Sequence, residues 1–255
     1  MAVQQSQFVL PRATRVTLWL IGILAGLWVL FAVAINSGQS QLFLDLYEGM
    51  RLTASDVVPG VELWQVATYA WLHDLNGISH VLFNCLGLYF LGTTLERRWG
   101  GKTFLKFFVL TGVIAGVFSV LVGLILPGTF DVPIVGASGA LFGIIAAYSI
   151  LFPDASILLM FVIPVKSRYL VWIAIGIDII LFFAMPRYDV AIQTHIGGAL
   201  AGWLLISGNW HPRIFWPKVT GLFKKTPTRP KLKVVPGGRS VGGRANPGRN
   251  DRYLN

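Results

Sequence analysis

The sequence has few charged residues and almost no cysteine. Charged residues make up 13% of its 255 residues and apolar residues 55%, whereas a typical globular chain is about 25% charged. This composition argues against a soluble globular protein, because its uncharged runs are long enough to span a bilayer. The single cysteine, Cys85, excludes an intrachain disulfide and a cysteine-based metal cluster.

Acidic residues are nearly absent from residues 211–255. This segment holds 11 of the 21 Lys and Arg residues, with Asp251 as its one acid, so it carries the whole net charge of +10. It is rich in Gly, Pro and Arg and has little apolar surface to bury, which predicts a disordered tail. Because the tail follows a predicted membrane span, anionic lipid is favoured as its partner over nucleic acid, and no nucleic-acid partner is expected.

Six apolar segments approach the length of about 20 residues that a helix needs to cross a bilayer. They cover approximately residues 16–35, 78–95, 107–126, 134–151, 169–185 and 190–207. The segment 155–165 is shorter and contains Pro164, so we predict an interfacial segment there rather than a seventh span. Span one could instead be a cleaved signal sequence, since Ala32-Val33-Ala34 resembles a cleavage site, although its apolar run is long for one.

Basic residues flank the six segments on one side of the membrane. The opposite loops hold only Arg51 and Arg187, against seven acids, and by the positive-inside rule both termini are cytoplasmic. The sequence therefore predicts an all-α membrane protein, a six-transmembrane-helix bundle with a large outer loop, 37–77, between spans one and two. Its predicted parts are a cytoplasmic N-terminal segment (1–15), the six-span domain (16–210) and the cytoplasmic tail (211–255).

Few strongly polar side chains lie inside the predicted spans. Because such groups are costly in a bilayer, each is a candidate functional residue. They are His80 and Asn84 in span two, Ser138 in span four, Asp178 in span five and His195 in span six. At 1.5 Å per residue, His80, Ser138 and His195 all lie within roughly 3–8 Å of the outer edge. Their shared depth indicates that one hydroxyl and two imidazoles belong to one site.

Ser138 and His195 are predicted to meet where spans four and six pack closely. Small residues at four-residue spacing follow each of them, Gly139 and Gly143 in one span and Gly198 and Gly202 in the other, and such spacing allows close helix approach. A His in contact with a Ser can take its proton and activate it as a nucleophile. The alternative is a packing interface with a buried His, which explains the glycines but leaves the shared depth unexplained.

His80 and Asn84 lie four residues apart, on one face of span two. Both can donate hydrogen bonds to a developing oxyanion; alternatively, the pair only forms hydrogen bonds between helices. Asp178 is predicted to be a buried acid satisfied by neighbouring helices, without a direct role. A zinc protease is disfavoured because the chain has no HExxH motif. An aspartyl protease needs two facing carboxylates and is disfavoured because Asp178 is the only acid well inside a predicted span, with Asp189 at a loop.

At these residues the sequence resembles the rhomboid family of intramembrane serine proteases. The resemblance rests on four elements in order: His80-x-x-x-Asn84, Glu96-Arg97, Gly136-Ala137-Ser138-Gly139, and His195-x-x-Gly198-x-x-x-Gly202. It covers about residues 60–208. The chain departs from the family at two positions. Gln65 replaces the Arg that usually follows Trp64, which puts the anchoring of the outer loop in doubt, and Thr194 replaces the usual Ala before His195.

The resemblance implies an intramembrane serine endopeptidase that cleaves transmembrane segments of membrane proteins near their outer end, with a Ser–His dyad that includes no Asp, and with no cofactor. Ser138 would be the nucleophile, His195 the general base and acid, and His80 and Asn84 the oxyanion donors. The expected partners are transmembrane protein substrates and the lipid bilayer. The alternative is a non-catalytic rhomboid-like protein that binds transmembrane segments, although inactive relatives lack the Ser or the His that this chain retains. A transporter is disfavoured because no inverted repeat is evident.

Overall fold

The chain folds mainly into helices. The computed structural model describes residues 12–37, 41–159, 162–184 and 191–207, all of which belong to the unit Met1–Phe215. The predicted N-terminal segment 1–15 lies largely outside the described residues, and the predicted tail 211–255 lies wholly outside them. The domain boundaries at both ends therefore stay predictions.

Ten α-helices are found among the described residues. In chain order they are α1 (Arg15–Asn36), α2 (Gln41–Met50), α3 (Ala54–Val57), α4 (Gln65–Thr68), α5 (Ile78–Gly87), α6 (Thr93–Trp99), α7 (Gly101–Ile125), α8 (Ser138–Leu151), α9 (Leu170–Ala184) and α10 (Ile192–Ser207). One π-helical turn, Leu88–Gly92, joins α5 to α6, so these two helices form a single continuous segment.

Four helical segments among the described residues are long and apolar enough to cross a membrane. They are Arg15–Asn36, Ile78–Trp99, Gly101–Ile125 and Ser167–Ala184. Predicted spans one, two, three and five are thereby confirmed as membrane-crossing candidates. The largest differences from the predicted boundaries are at span two, which continues to Trp99, and at span three, where α7 already begins at Gly101.

The helices at predicted spans four and six are shorter, with 14 residues in α8 and 16 in α10. Helix α8 begins at Ser138 because the chain before it is extended: the backbone of Ile134 pairs with Leu52 in both directions, at 2.8 and 2.9 Å, and Gly136 has φ +128°. The structure thus has the architecture of a helical membrane protein with several spans.

Helix α8 lies at the centre of the fold. Ten of its 14 residues are buried, whereas in α9 the buried residues are Leu170 and Asp178. The core around α8 is built from α1, the joined segment α5–α6, and α7, through large apolar side chains that include Leu20, Leu24, Leu88, Leu95, Phe104, Phe107, Phe108 and Ile144. A residue on α8 is therefore held by packing on most sides, while α9 lies at the periphery.

The outer loop between the first two spans is folded rather than extended. It contains α2, α3, α4 and a 3₁₀ turn at Tyr69–Trp71, and its buried residues pack with Val120 of α7 and Ile134 in one apolar cluster. The indole of Trp64, half-exposed, donates to the carbonyl of Gly49 at 2.8 Å. The loop is thus attached to α7 and to the chain that leads into α8.

Gln65 anchors this loop. Its side chain is fully buried; Oε1 accepts from the backbone N–H of Thr53 at 2.9 Å, and Nε2 donates to Glu62 at 2.7 Å and Asp56 at 3.4 Å. An amide can both accept and donate hydrogen bonds, so it satisfies a backbone donor and two acids together. The doubt about anchoring that the missing Arg raised is therefore removed by these contacts.

The segment between α8 and α9 corrects the all-α prediction. Ser156–Leu159 and Ile163–Lys166 form a two-stranded antiparallel sheet, β1 and β2, in which Leu158 lies opposite Pro164. A helix through this segment is disfavoured because Pro164 has no backbone N–H to donate, whereas its β-branched residues suit strands. A seventh span was not predicted here, and two strands of four residues are too short to form one.

Glu96 joins the second span to the start of the first. Its carboxylate accepts from the backbone N–H groups of Val16 at 3.0 Å and Thr17 at 2.7 Å, and from the Thr17 hydroxyl at 2.8 Å. These N–H groups lie at the beginning of α1, where backbone donors lack helical partners and the helix dipole favours an anion. The acidic residue of the Glu96-Arg97 pair therefore caps α1 from a neighbouring helix.

We predict that Gln65→Ala lowers the free energy of unfolding by about 1–3 kcal/mol, because the buried N–H of Thr53 loses its acceptor. Chemical denaturation in detergent micelles measures this change. The matched control is Gln41→Ala, which removes an exposed hydrogen bond to Asp45 and should change stability by less than about 0.5 kcal/mol. Equal effects of the two variants would contradict the anchoring role of Gln65.

Candidate active site

Ser138 is the first residue of α8, and no side chain caps this helix start. The first helical hydrogen bond runs from Leu141 N to Ala137 O at 2.9 Å, so the N–H groups of Ser138, Gly139 and Ala140 precede the helical ladder. The positive end of the helix dipole adds to these donors. The Ser138 hydroxyl, which is partly exposed, therefore lies in surroundings that favour a negative charge.

The structure brings Ser138 and His195 into contact. The imidazole nitrogen Nε2 of His195 lies 2.7 Å from Ser138 Oγ, although the two residues are 57 positions apart in the chain. His195 lies near the beginning of α10 and Ser138 at the beginning of α8, as their predicted common depth requires. A hydroxyl in this contact can pass its proton to the imidazole.

Glycines allow the two helices to approach this closely. A Cβ on Gly198 would lie 1.9 Å from the carbonyl oxygen of Gly139, and a Cβ on Gly202 would lie 2.4 Å from that of Gly143. No side chain fits at such distances, so the backbones of α8 and α10 are in direct contact. The predicted packing of the two glycine faces is confirmed.

Two further side chains fix the His195 ring. Phe142 of α8 stacks on it, with ring centroids 4.2 Å apart and an interplanar angle of 9°. Asp178 of α9 lies 2.6 Å away through Oδ2, measured to His195 Nδ1. The prediction that Asp178 is a buried acid satisfied by a neighbouring helix is confirmed by this contact and by its burial. The identity of the neighbour was not foreseen.

His80 and Ser138 border the same small space beside Gly136. A Cβ on Gly136 would lie 2.6 Å from His80 Nε2 and 3.5 Å from Ser138 Oγ. Gly136 also has a positive φ of +128°, a backbone conformation that L side chains rarely adopt. A side chain at this position would collide with the His80 ring, so glycine lets that imidazole lie near the Ser138 hydroxyl.

Asn84 lies one turn below His80 on α5 and is buried. Its Nδ2 donates to the carbonyl oxygen of His80 at 2.9 Å, while its buried Oδ1 has no hydrogen-bond partner. This intrahelical bond uses one of the two amide hydrogens. Asn84 thus shares the helix face of His80, as the spacing predicted, and makes its described bond within the helix rather than to a neighbouring helix.

Sequence reasoning did not single out His73, which contacts His80. The two rings meet edge to face with centroids 5.1 Å apart. Burial disfavours the charged imidazole and, with His80 nearby, lowers the pKa of His73 to about 3. The signal in the sequence was weak, because His73 precedes the predicted span, so its seven-residue separation from His80 does not fall within one predicted helix.

The outer loop also supports the chain before Ser138. The backbone N–H of Gly136 donates to the carbonyl of Tyr69 at 3.0 Å, and the buried Tyr69 hydroxyl donates to the carbonyl of Gly112 in α7 at 2.8 Å. The loop residue Tyr69 therefore connects α7 to the turn that carries the site.

The second departure from the family pattern, Thr194, is accommodated by α7. Its hydroxyl lies 2.8 Å from that of Ser119, and both residues are buried. The polar atom that Thr adds relative to Ala is thus hydrogen-bonded, and His195 keeps its position beside Ser138.

The described residues offer a site for acid–base and nucleophilic chemistry. They contain no group of three His, Cys, Asp or Glu side chains placed to hold a metal ion. They do contain a hydroxyl paired with an imidazole, next to free helix-start N–H groups and a second imidazole. Such an arrangement can transfer an acyl group through the serine oxygen.

Known proteins similar to this chain share its central region. The rhomboid-domain family model matches residues 60–210. Rhomboid protease AarA of Providencia stuartii is 29% identical over 230 residues, covering 80% of this chain and 78% of that protein. Rhomboid protease GluP of Bacillus subtilis (strain 168) is 28% identical over 172 residues, covering 68% of this chain and 31% of that protein. The chain thus spans about a third of the length of GluP.

A relative named as inactive also matches. Inactive RHOMBOID-like protein 8 of Arabidopsis thaliana is 29% identical over 86 residues, covering 34% of this chain and 22% of that protein. Sequence similarity to this set of relatives therefore does not by itself establish catalysis.

We predict that Gly198→Ala destabilises the protein by about 1–3 kcal/mol or more, because the new methyl group collides with the backbone of α8. The unfolding midpoint in detergent measures the loss. The control is Gly26→Ala in α1, where nothing lies within 4 Å of the added carbon and stability should be unchanged or slightly higher. A Gly198→Ala protein as stable as this control would refute the backbone contact.

Proposed function

The chain belongs to the rhomboid family, and from that premise we propose that it is an intramembrane serine endopeptidase. Ser138 attacks a backbone carbonyl of a transmembrane segment, and His195 takes the hydroxyl proton and then gives it to the leaving amine. The observation that carries this proposal is the 2.7 Å contact between His195 Nε2 and Ser138 Oγ. No cofactor takes part in this chemistry.

His80, Asn84 and the backbone N–H of Ser138 stabilise the oxyanion that forms during the attack. This assignment is supported by the space beside Gly136 that His80 Nε2 and Ser138 Oγ share. Donors already aimed at a developing charge are a large contribution to catalysis where water is scarce. Asn84 contributes the amide hydrogen that its bond to His80 leaves unused.

The membrane arrangement is proposed to be a six-span bundle within residues 16–210. Helices α8 and α10 complete the four longer candidates, and the distribution of Lys and Arg puts both termini in the cytoplasm. Ser138 and His195, at the starts of their helices, then lie toward the outer face, so substrates are cleaved near their outer end. The tail 211–255 binds anionic lipid at the cytoplasmic surface.

A second candidate function is binding of transmembrane segments without cleavage. It is favoured by the similarity to a relative named as inactive. The polar layer would then recognise a helix rather than react with it. A serine-directed phosphonate discriminates between the two functions, because covalent labelling of Ser138 that requires His195 occurs only in the protease.

We predict that Ser138→Ala and His195→Ala each abolish cleavage of a model transmembrane substrate, and that the double variant is no worse than either. Nucleophile and base act as a unit, so their losses do not add. Product formation by purified protein in detergent is the readout, and mass spectrometry of the product termini locates the cut. Turnover by Ser138→Ala, or cuts clustered at the cytoplasmic end, would contradict the proposal.

We predict that His80→Ala and Asn84→Ala each lower the rate by about 10²–10³-fold without abolishing it, because each removes one oxyanion donor and spares the Ser–His pair. Initial rates are compared with the unfolding midpoint of the same samples. A purely structural pair gives the opposite pattern, with lower stability and normal turnover per folded molecule. Full activity in a stable His80→Ala, Asn84→Ala double variant would remove the oxyanion assignment.

A further inference from the structure

Asp178 is the third polar side chain in a continuous line of contacts through His195. The carboxylate lies 2.6 Å from Nδ1, and Nε2 on the opposite side of the ring lies 2.7 Å from Ser138 Oγ. We propose that Asp178 is a positioning residue that holds His195 for proton transfer from Ser138. This inference rests on the proposed protease function and extends it from two residues to three.

The hydrogen-bonding capacities of these groups determine which nitrogen of His195 carries the hydrogen. An ionised carboxylate can only accept hydrogen bonds, so His195 Nδ1 carries the hydrogen in its contact with Asp178. In the neutral imidazole, Nε2 then has the free electron pair and must accept from the Ser138 hydroxyl. Asp178 thus selects the tautomer in which His195 is a base toward serine.

The same contact stabilises the intermediate that the reaction forms. As Ser138 Oγ bonds to the substrate carbonyl carbon, the carbonyl π electrons move to oxygen and the hydroxyl proton moves to Nε2. The resulting imidazolium lies next to the Asp178 carboxylate, which favours its positive charge without taking its proton. When the carbon–nitrogen bond breaks, Nε2 returns the proton to the leaving amine. Water then attacks the acyl group by the same route and regenerates the Ser138 hydroxyl.

The place of Asp178 in the fold argues against a role in packing alone. Along α9, the buried residues are Leu170 near the start and Asp178, while neighbouring Ile177 and Ile179 are exposed. An acid turned inward on a peripheral apolar helix is costly in a bilayer. Buried ion pairs contribute little net stability compared with apolar residues of similar size. The described contact of the Asp178 carboxylate is to His195 Nδ1, so its orientation serves the imidazole.

The ring is held in its plane as well as at its two nitrogens. Phe142 stacks on it at 9°, which leaves rotation within that plane as the main freedom. Asp178 opposes this rotation from the Nδ1 edge. The side chains of Asp178 and His195 are each 12% exposed, so water competes weakly for the contact.

The test compares Asp178→Asn and Asp178→Glu with wild type, using cleavage of a fluorogenic transmembrane peptide by full-length protein in detergent. The amide of Asn can donate to Nδ1 and favour the wrong tautomer, a change that lowers kcat about 10⁴-fold in soluble serine proteases with this connectivity. We expect Asp178→Asn to lower kcat by roughly 10²–10⁴-fold with little change in KM, and labelling of Ser138 by a phosphonate probe to slow in parallel. Asp178→Glu keeps a carboxylate and should recover part of the lost kcat.

Ser149→Ala is the matched control for loss of a buried polar contact. The Ser149 hydroxyl donates to the carbonyl of Ser167 at 2.7 Å, joining α8 to the chain before α9 away from the site. Its removal should lower stability while kcat per folded molecule stays at the wild-type value. All rates are therefore normalised to the folded fraction measured by size exclusion.

Each outcome decides between a positioning role and a structural one. Wild-type kcat in Asp178→Asn, or equal loss in Asp178→Asn and Asp178→Glu, would overturn the inference, since packing rather than the carboxylate would then matter. In that case the protease function would still be supported if wild type cleaves the substrate and Ser138→Ala does not. If wild type itself neither cleaves nor is labelled at Ser138, the proposed function fails together with the inference.

Discussion

The contact between the backbones of α8 and α10 sets the geometry of the whole site. In a bilayer, lipid is as apolar as the helices, so close packing of small residues replaces the hydrophobic effect as the cause of association. Ser has a short side chain, and His195 reaches its oxygen at 2.7 Å because Gly139 and Gly198 bring the two helix axes together. The Ser–His contact therefore depends on the glycines, because a substitution that moves the two helices apart also separates His195 from Ser138.

Much of this site follows from the sequence because helices have a fixed rise. Counting residues from the outer edge gives a depth, and His80, Ser138 and His195 had the same depth before any contact was known. The contact between Asp178 and His195 was not predicted, because α9 is expected to run in the other direction and the depth of Asp178 must be counted back from the end of the helix. Asp178 lies six residues before the last residue of α9, Ala184, or about 9 Å, just beyond the roughly 3–8 Å predicted for the other three side chains. An almost wholly apolar helix also gives no pattern that tells which side faces inward.

Other features depend on contacts that no local pattern contains. The start of α8 at Ser138 is determined by the pairing of Ile134 with Leu52, which is 82 positions away in the chain, while hydropathy alone extended the span to 134. The anchoring of the outer loop was doubted because the prediction considered only the missing Arg. It did not consider that the amide of Gln65 can both donate and accept hydrogen bonds. The segment that contains β1 and β2 was predicted only to be interfacial, since four-residue strands are at the shortest length at which alternation indicates a strand.

The start of α8 places backbone N–H groups that precede the helical ladder next to a hydroxyl and an imidazole. In lipid, unsatisfied backbone N–H groups each cost several kcal/mol, so a hydrogen-bond acceptor that reaches them is strongly favoured. Here Ala137 occupies the capping position and provides no side-chain bond, and the small space beside Gly136 lies next to Ser138. The partly exposed Ser138 and His80 border that space. Backbone donors at the point where a hydroxyl meets a base are what the proposed acyl transfer requires.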